Sequence, residues 1–88
     1  MQERLLTLVV LPGAAAEARL GLAISARAVP QATGRNRIKR LARESFRACR
    51  TQLPPADLVL QARAGAGKAE RAELRASLER LWARVKEG

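Results

Sequence analysis

Seven of the sixteen residues from Arg35 to Arg50 (RNRIKRLARESFRACR) are Arg or Lys, and only Glu44 among them is acidic. This run carries +6 of the formal net charge of +9, while residues 1–34 carry +1 and residues 51–88 carry +2. The chemistry open to such a cluster is the binding of polyanions, and nucleic acid is the commonest polyanion in a cell. Arginine outnumbers lysine six to one in the run. Its planar fork binds phosphate in bidentate fashion and stacks on bases. Like charges three and four residues apart on a helix repel, and one glutamate does not offset that. A bound polyanion relieves the repulsion. Plain solvated charge and an anionic membrane surface are the weaker readings.

Other chemistries find little material. The chain has no histidine and one cysteine, Cys49. Cys/His metal clusters and Ser-His or Cys-His nucleophile pairs therefore cannot be built. The carboxylates are interspersed with arginine and read as surface ion pairs. Asp57 reads as a turn residue at a strand start. Cys49 reads as a small core residue, and a lone cysteine fits a reducing compartment. Gly65-Ala66-Gly67-Lys68 lacks the glycine spacing and the hydroxyl residue of a phosphate loop, so it reads as a turn. No catalytic residue and no metal ligand is assigned.

The elements that must position the basic run follow from periodicity. Leu5 to Leu11 is an apolar strand stopped by Pro12-Gly13, and 14–18 is a loop. Arg19 to Ala26 alternates: Leu20, Leu22, Ile24 and Ala26 face a core, while Arg19, Gly21, Ala23, Ser25 and Arg27 face away. Ala28 to Gly34 is a connector. A helix is predicted from about Asn36, its cap, to Thr51. On a helical wheel Ile38, Leu41, Ala42, Ser45, Phe46, Ala48 and Cys49 share one arc. Lys39, Arg40, Arg43, Arg47 and Arg50 fill the opposite arc, with Arg37 and Glu44 at its margin. After Leu53-Pro54-Pro55, Leu58 to Arg63 is a third strand. The last helix runs from about Ala69 to Lys86, with Leu74, Leu78, Leu81, Trp82 and Val85 as its apolar stripe. The order β-β-α-β-α gives an α/β (α+β) two-layer sandwich, with two amphipathic helices on one face of a small mixed sheet. The first and third strands are nearly continuous in apolar residues and are expected inside that sheet.

At 88 residues with 48% hydrophobic content, the chain is expected to be a single folded domain over 1–88. No apolar run reaches the roughly 20 residues of a membrane span. The start lacks the layout of a signal peptide, so a cytoplasmic protein with no membrane partner is expected. The basic helix is flanked by strands, which does not suit a helix-turn-helix. A folded RNA recognised by shape and backbone suits it better. A ribosomal-type structural RNA-binding protein and a DNA-binding regulator are the competing classes.

The segment Gly34 to Arg50 resembles the protein subunit of bacterial ribonuclease P. The RNR motif stands as Arg35-Asn36-Arg37, followed by Ile38-Lys39-Arg40-Leu41 and Arg43-Glu44-Ser45-Phe46-Arg47. Arg19-Leu20-Gly21-Leu22 with Ile24-Ser25, Asp57-Leu58-Val59 and Leu78-Glu79-Arg80-Leu81-Trp82 extend the likeness from about Leu5 to Val85. The resemblance implies a left-handed β-α-β crossover. It implies a partner, the ribonuclease P RNA, which cleaves the 5′ leader from precursor tRNA using Mg²⁺ held mainly by the RNA and substrate. It further implies RNA contacts by Arg35, Asn36, Arg37, Lys39, Arg40, Arg43 and Arg47. Ser25 and Arg27 correspond to the strand end beside the cleft that holds the leader. Where the family usually has two adjacent lysines, this chain has Ala26 and Arg27. Against the family pattern, about 20 residues are expected ahead of the first strand, several turns of helix. The chain thus reads as an N-terminally shortened member. An uncovered sheet face favours a homodimer or an element-swapped dimer.

Overall fold

Three short apolar runs pair into one sheet, and the strand nearest the C-terminus lies at its centre. In the computed structural model, which describes residues 1–12 and 16–87, the elements are β1 (Leu6–Leu11), β2 (Arg19–Ala23), α1 (Ala32–Cys49), a 3₁₀ turn (Arg50–Gln52), β3 (Asp57–Ala62), a second 3₁₀ turn (Ala66–Lys68) and α2 (Arg71–Glu87). The sheet order is β1-β3-β2. β1 runs antiparallel to β3 and β2 parallel to it, giving the expected mixed sheet and β-β-α-β-α order.

Period-two alternation sorts the side chains onto two faces. Leu8, Leu60 and Leu22 form one row across the sheet, and Val10, Leu58 and Leu20 the next. Leu6, Leu8, Leu58 and Leu60 are fully buried. Burial of one such side chain contributes about 1.5–3 kcal/mol. Against this face α1 buries Ile38, Leu41, Ala42 and Phe46, and α2 buries Leu74, Leu78, Leu81, Trp82 and Val85. The Phe46 and Trp82 rings meet at 5.7 Å and 58°. Trp82 Nε1 donates to Ser45 Oγ at 2.7 Å, tying the two helices together. The opposite face carries the rows Thr7–Gln61–Ala23, Val9–Val59–Gly21 and Leu11–Asp57–Arg19.

β1 is an edge strand, because with three strands only β3 has a neighbour on both sides. Its apolar run reflects Leu6 and Leu8 beneath the helices, whereas Val9 and Leu11 remain 37% and 51% exposed on the outer face. Residues 1–3 fold back along it, with Gln2 bridging Thr7 and Leu8 N donating to Met1 O at 2.9 Å. β2 stops at Ala23. Ala26 is exposed in a turn where Ser25 Oγ accepts from the Ala28 N–H. α1 begins at Ala32, so Asn36 is no cap but an exposed residue of the second turn. Gly34 thus belongs to the helix rather than to a connector. A Cβ there would lie 3.0 Å from Val29 Cγ1, so a close approach explains glycine better than a break does. Ala48, expected on the packed arc, is exposed, and Ser77, assigned to no core, is buried without a hydrogen-bond partner for its hydroxyl. Gly13 and Ala14–Ala15, expected in a turn and loop, lie outside the described residues. No described helix is long and apolar enough to cross a membrane.

Candidate nucleic-acid interface

The apolar arc of α1 is fixed by the sheet, and that fixes where its basic arc points. Asn36, Lys39, Arg40, Arg43, Glu44 and Arg47 line one shallow depression on the outer side of the helix. The spacing of three and four residues stacks them along one face. Arg40, Arg43 and Arg47 are exposed and Lys39 is half-buried. Among the described residues the ion pairs are Arg4–Glu73, Arg19–Asp57, Arg50–Glu17, Arg80–Glu3 and Arg84–Glu3. Lys39, Arg40, Arg43 and Arg47 take part in none of them. The chain therefore turns to one side four cations that no ion pair among the described residues holds, with Glu44 the one carboxylate in the same depression, and a polyanion can replace the water around them.

Arg35 and Arg37 are placed differently. Arg35 Nη1 donates to the carbonyls of Val29 (2.8 Å) and Pro30 (2.9 Å), holding the connection from β2. Arg37 Nη2 donates to Gly67 O (3.0 Å) and Ala69 O (2.9 Å), holding the turn from β3 to α2. Both are half-buried. Hydrogen bonds from a charged donor to carbonyls that would otherwise lack partners are among the stronger ones. The first and third letters of the RNR motif thus spend part of their fork on backbone. Sequence reasoning assigned both to RNA alone. The signal that could have separated Arg37 was its place at the margin of the basic arc; its partners, thirty residues away, leave no local trace.

The same end of α1 is packed tightly. A Cβ on Gly67 would lie 2.8 Å from Val29 Cγ1, and Val29 is buried and stiff at χ1. Gly67→Ala is therefore expected to destabilise the fold by about 1–3 kcal/mol. The double variant Val29→Ala/Gly67→Ala should recover part of that loss, read as a coupling in denaturant midpoints. Additive losses would show that the contact is not the cause.

Ser25 and Arg27, the leader-cleft candidates, lie on the turn after β2 rather than on the strand. Arg27 is exposed. They are separate from the α1 depression, so the structure does not gather all nine candidate residues into one site. Partial burial pushes the Cys49 thiol up, and its Sγ lies 3.5 Å from the Ser45 carbonyl, in keeping with packing. Among the described residues no three His, Cys, Asp or Glu side chains gather to hold a metal ion.

Comparison with known proteins adds relatives. A family model described as Ribonuclease P matches residues 1–86. The "Ribonuclease P protein component" of Thioalkalivibrio sulfidiphilus is 48% identical over 79 residues, covering 90% of this chain and 66% of that one. The protein of the same description from Pasteurella multocida is 43% identical over the same shares. This chain thus spans just under two thirds of the length of these relatives. The structure of Staphylococcus aureus RNase P protein superposes with a TM-score of 0.86 at 25% identity, over 98% of this chain and 79% of that one.

Proposed function

This chain belongs to the ribonuclease P protein family, and from that premise we propose that it binds the catalytic RNA of ribonuclease P and assists removal of the 5′ leader from precursor tRNA. The observation that carries the reading is the arc of Lys39, Arg40, Arg43 and Arg47, which has no carboxylate partner among the described residues. These four supply phosphate contacts, Asn36 hydrogen-bonds beside them, and Arg35 and Arg37 add what their free nitrogens reach. Ser25 and Arg27 serve the leader from the turn after β2.

In this reading the protein breaks no bond. Mg²⁺ takes oxygen ligands in an octahedral shell, and the scattered carboxylates here do not fit one. The metal chemistry is left to the RNA and the substrate. The protein screens phosphate repulsion between the two RNAs and so raises substrate affinity at low Mg²⁺. The setting is the cytoplasm. Two copies can associate through Val9 and Leu11, the exposed apolar residues of the outer sheet face.

Reconstitution tests this. The protein mixed with ribonuclease P RNA at low Mg²⁺ is expected to speed 5′ processing of precursor tRNA. Tight binding to the RNA without any gain in processing would place the protein among structural RNA-binding proteins instead.

A further inference from the structure

The flank of α1 that faces β2 holds a second groove, lined by Arg19, Leu20, Arg43, Phe46, Arg47 and Arg50. Arg43 and Arg47 also line the outer depression, so they stand on the ridge between the two. Leu20 and Phe46 give the groove apolar surface. On its far side runs the outer edge of β2, whose only strand neighbour among the described residues is β3. An edge strand leaves part of its N–H groups without a ladder partner.

Arg19 and Arg50 differ from the ridge arginines in being paired. Arg19 Nε and Nη2 donate to Asp57 Oδ1 (2.7 Å) and Oδ2 (3.1 Å). Arg50 Nη2 donates to Glu17 Oε1. The side chains of both pairs are 42–67% exposed. Exposed ion pairs of this kind contribute little to stability and exchange readily for another anion. The Arg19 guanidinium, by its hydrogen bonds, holds the Asp57 carboxyl below its usual range.

We propose that this groove is a second phosphodiester track, which takes an RNA strand running off the α1 interface onto Arg43 and Arg47 and then, by exchange for Glu17 and Asp57, onto Arg50 and Arg19. A ribose or base covers Leu20 and Phe46. The two carboxylates act as resident competitors that the strand displaces. The proposal rests on the reading that α1 faces RNA, and it adds four groups to it: Arg19 and Arg50 as ligands, Glu17 and Asp57 as brakes.

The test compares salt-dependent binding of the full chain to two probes, the ribonuclease P RNA and a fluorescent oligouridine of about 12 nucleotides, within the span a single-strand groove covers. Arg50→Ala is expected to weaken oligouridine binding and lower its log–log salt slope by about 0.7. Glu17→Gln and Asp57→Asn are expected to tighten binding by about two- to fivefold, the worth of an exposed pair. Glu79→Gln, on α2 in the groove beyond the other side of α1, corrects for the general loss of negative charge. The track is overturned if Glu17→Gln gains no more than Glu79→Gln, or if Arg50→Ala leaves the slope unchanged. Tight binding to the ribonuclease P RNA that fails with Arg40→Ala but ignores the groove variants removes the track and leaves the proposed function standing. A groove response on oligouridine, with no affinity for the ribonuclease P RNA, does the reverse. The substituted side chains are exposed, so circular dichroism should show an unchanged fold in each case.

Discussion

The triple variant Arg40→Ala/Arg43→Ala/Arg47→Ala is expected to lose about a hundred- to a thousandfold in affinity for the ribonuclease P RNA. Each charge-assisted phosphate contact is worth about 1.5 kcal/mol, roughly tenfold. Three contacts also release their counterions, so the log–log salt slope should flatten by about two to three units. The fold should not suffer. All three side chains are exposed, none pairs with a carboxylate among the described residues, and alanine is the better helix former. Removing their mutual repulsion should even raise the melting temperature slightly. Arg80→Ala, which removes a cation of α2 already bound to Glu3, is the matched control and should change the slope far less. An equal response from both variants would mean that only total charge matters and that α1 has no privileged face.

Leu60→Ala carries the largest expected effect on stability. Leu60 sits in the middle of the central strand, between Leu8 and Leu22 in register, and is fully buried. Truncation there costs about 2–5 kcal/mol, because the transfer term and the cavity add. At 0.05–0.15 kcal/mol per residue, a chain of 88 residues holds roughly 4–13 kcal/mol in all. The midpoint of thermal unfolding should therefore fall by about 8–40 °C, at some 4–8 °C per kcal/mol for a domain of this size. Leu60 belongs to a cluster in which Leu6, Leu8 and Leu58 are themselves fully buried and held by the sheet, so they close the gap only in part. A shift of only a few degrees would show that the helices collapse onto the vacancy.

Much of this architecture can be read from side-chain spacing. Leu58 and Leu60 alternate with Val59 and Gln61, and that alternation alone places them on a core face. Leu74, Leu78, Leu81, Trp82 and Val85 recur at helical spacing, and all five are buried. The positions of Lys39, Arg40, Arg43 and Arg47 follow from the opposite arc of α1 in the same way. What local spacing could not carry depends on distant neighbours. Apolar content records whether a strand face is covered, not whether the strand has partners on both edges, so the run of β1 reads as an interior strand although it lies at the rim. Gly34 looks like a helix stop when judged by propensity. Its reason, the closeness of Val29 and Gly67, is tertiary. The propensity of Asn for caps pointed to Asn36, whereas the helix had already begun one turn earlier at Ala32. The carbonyl partners of Arg35 and Arg37 were invisible for the same reason.

The central place of β3 bears on how the chain is made. β1 and β2 do not pair with each other; Val9 and Gly21 both await Val59. While the nascent polypeptide emerges from the ribosome, its two leading strands have no ladder until the segment through Ala62 follows them out. Throughout that interval α1 is the largest element able to form from local contacts, and its cations are already on display in a compartment crowded with RNA.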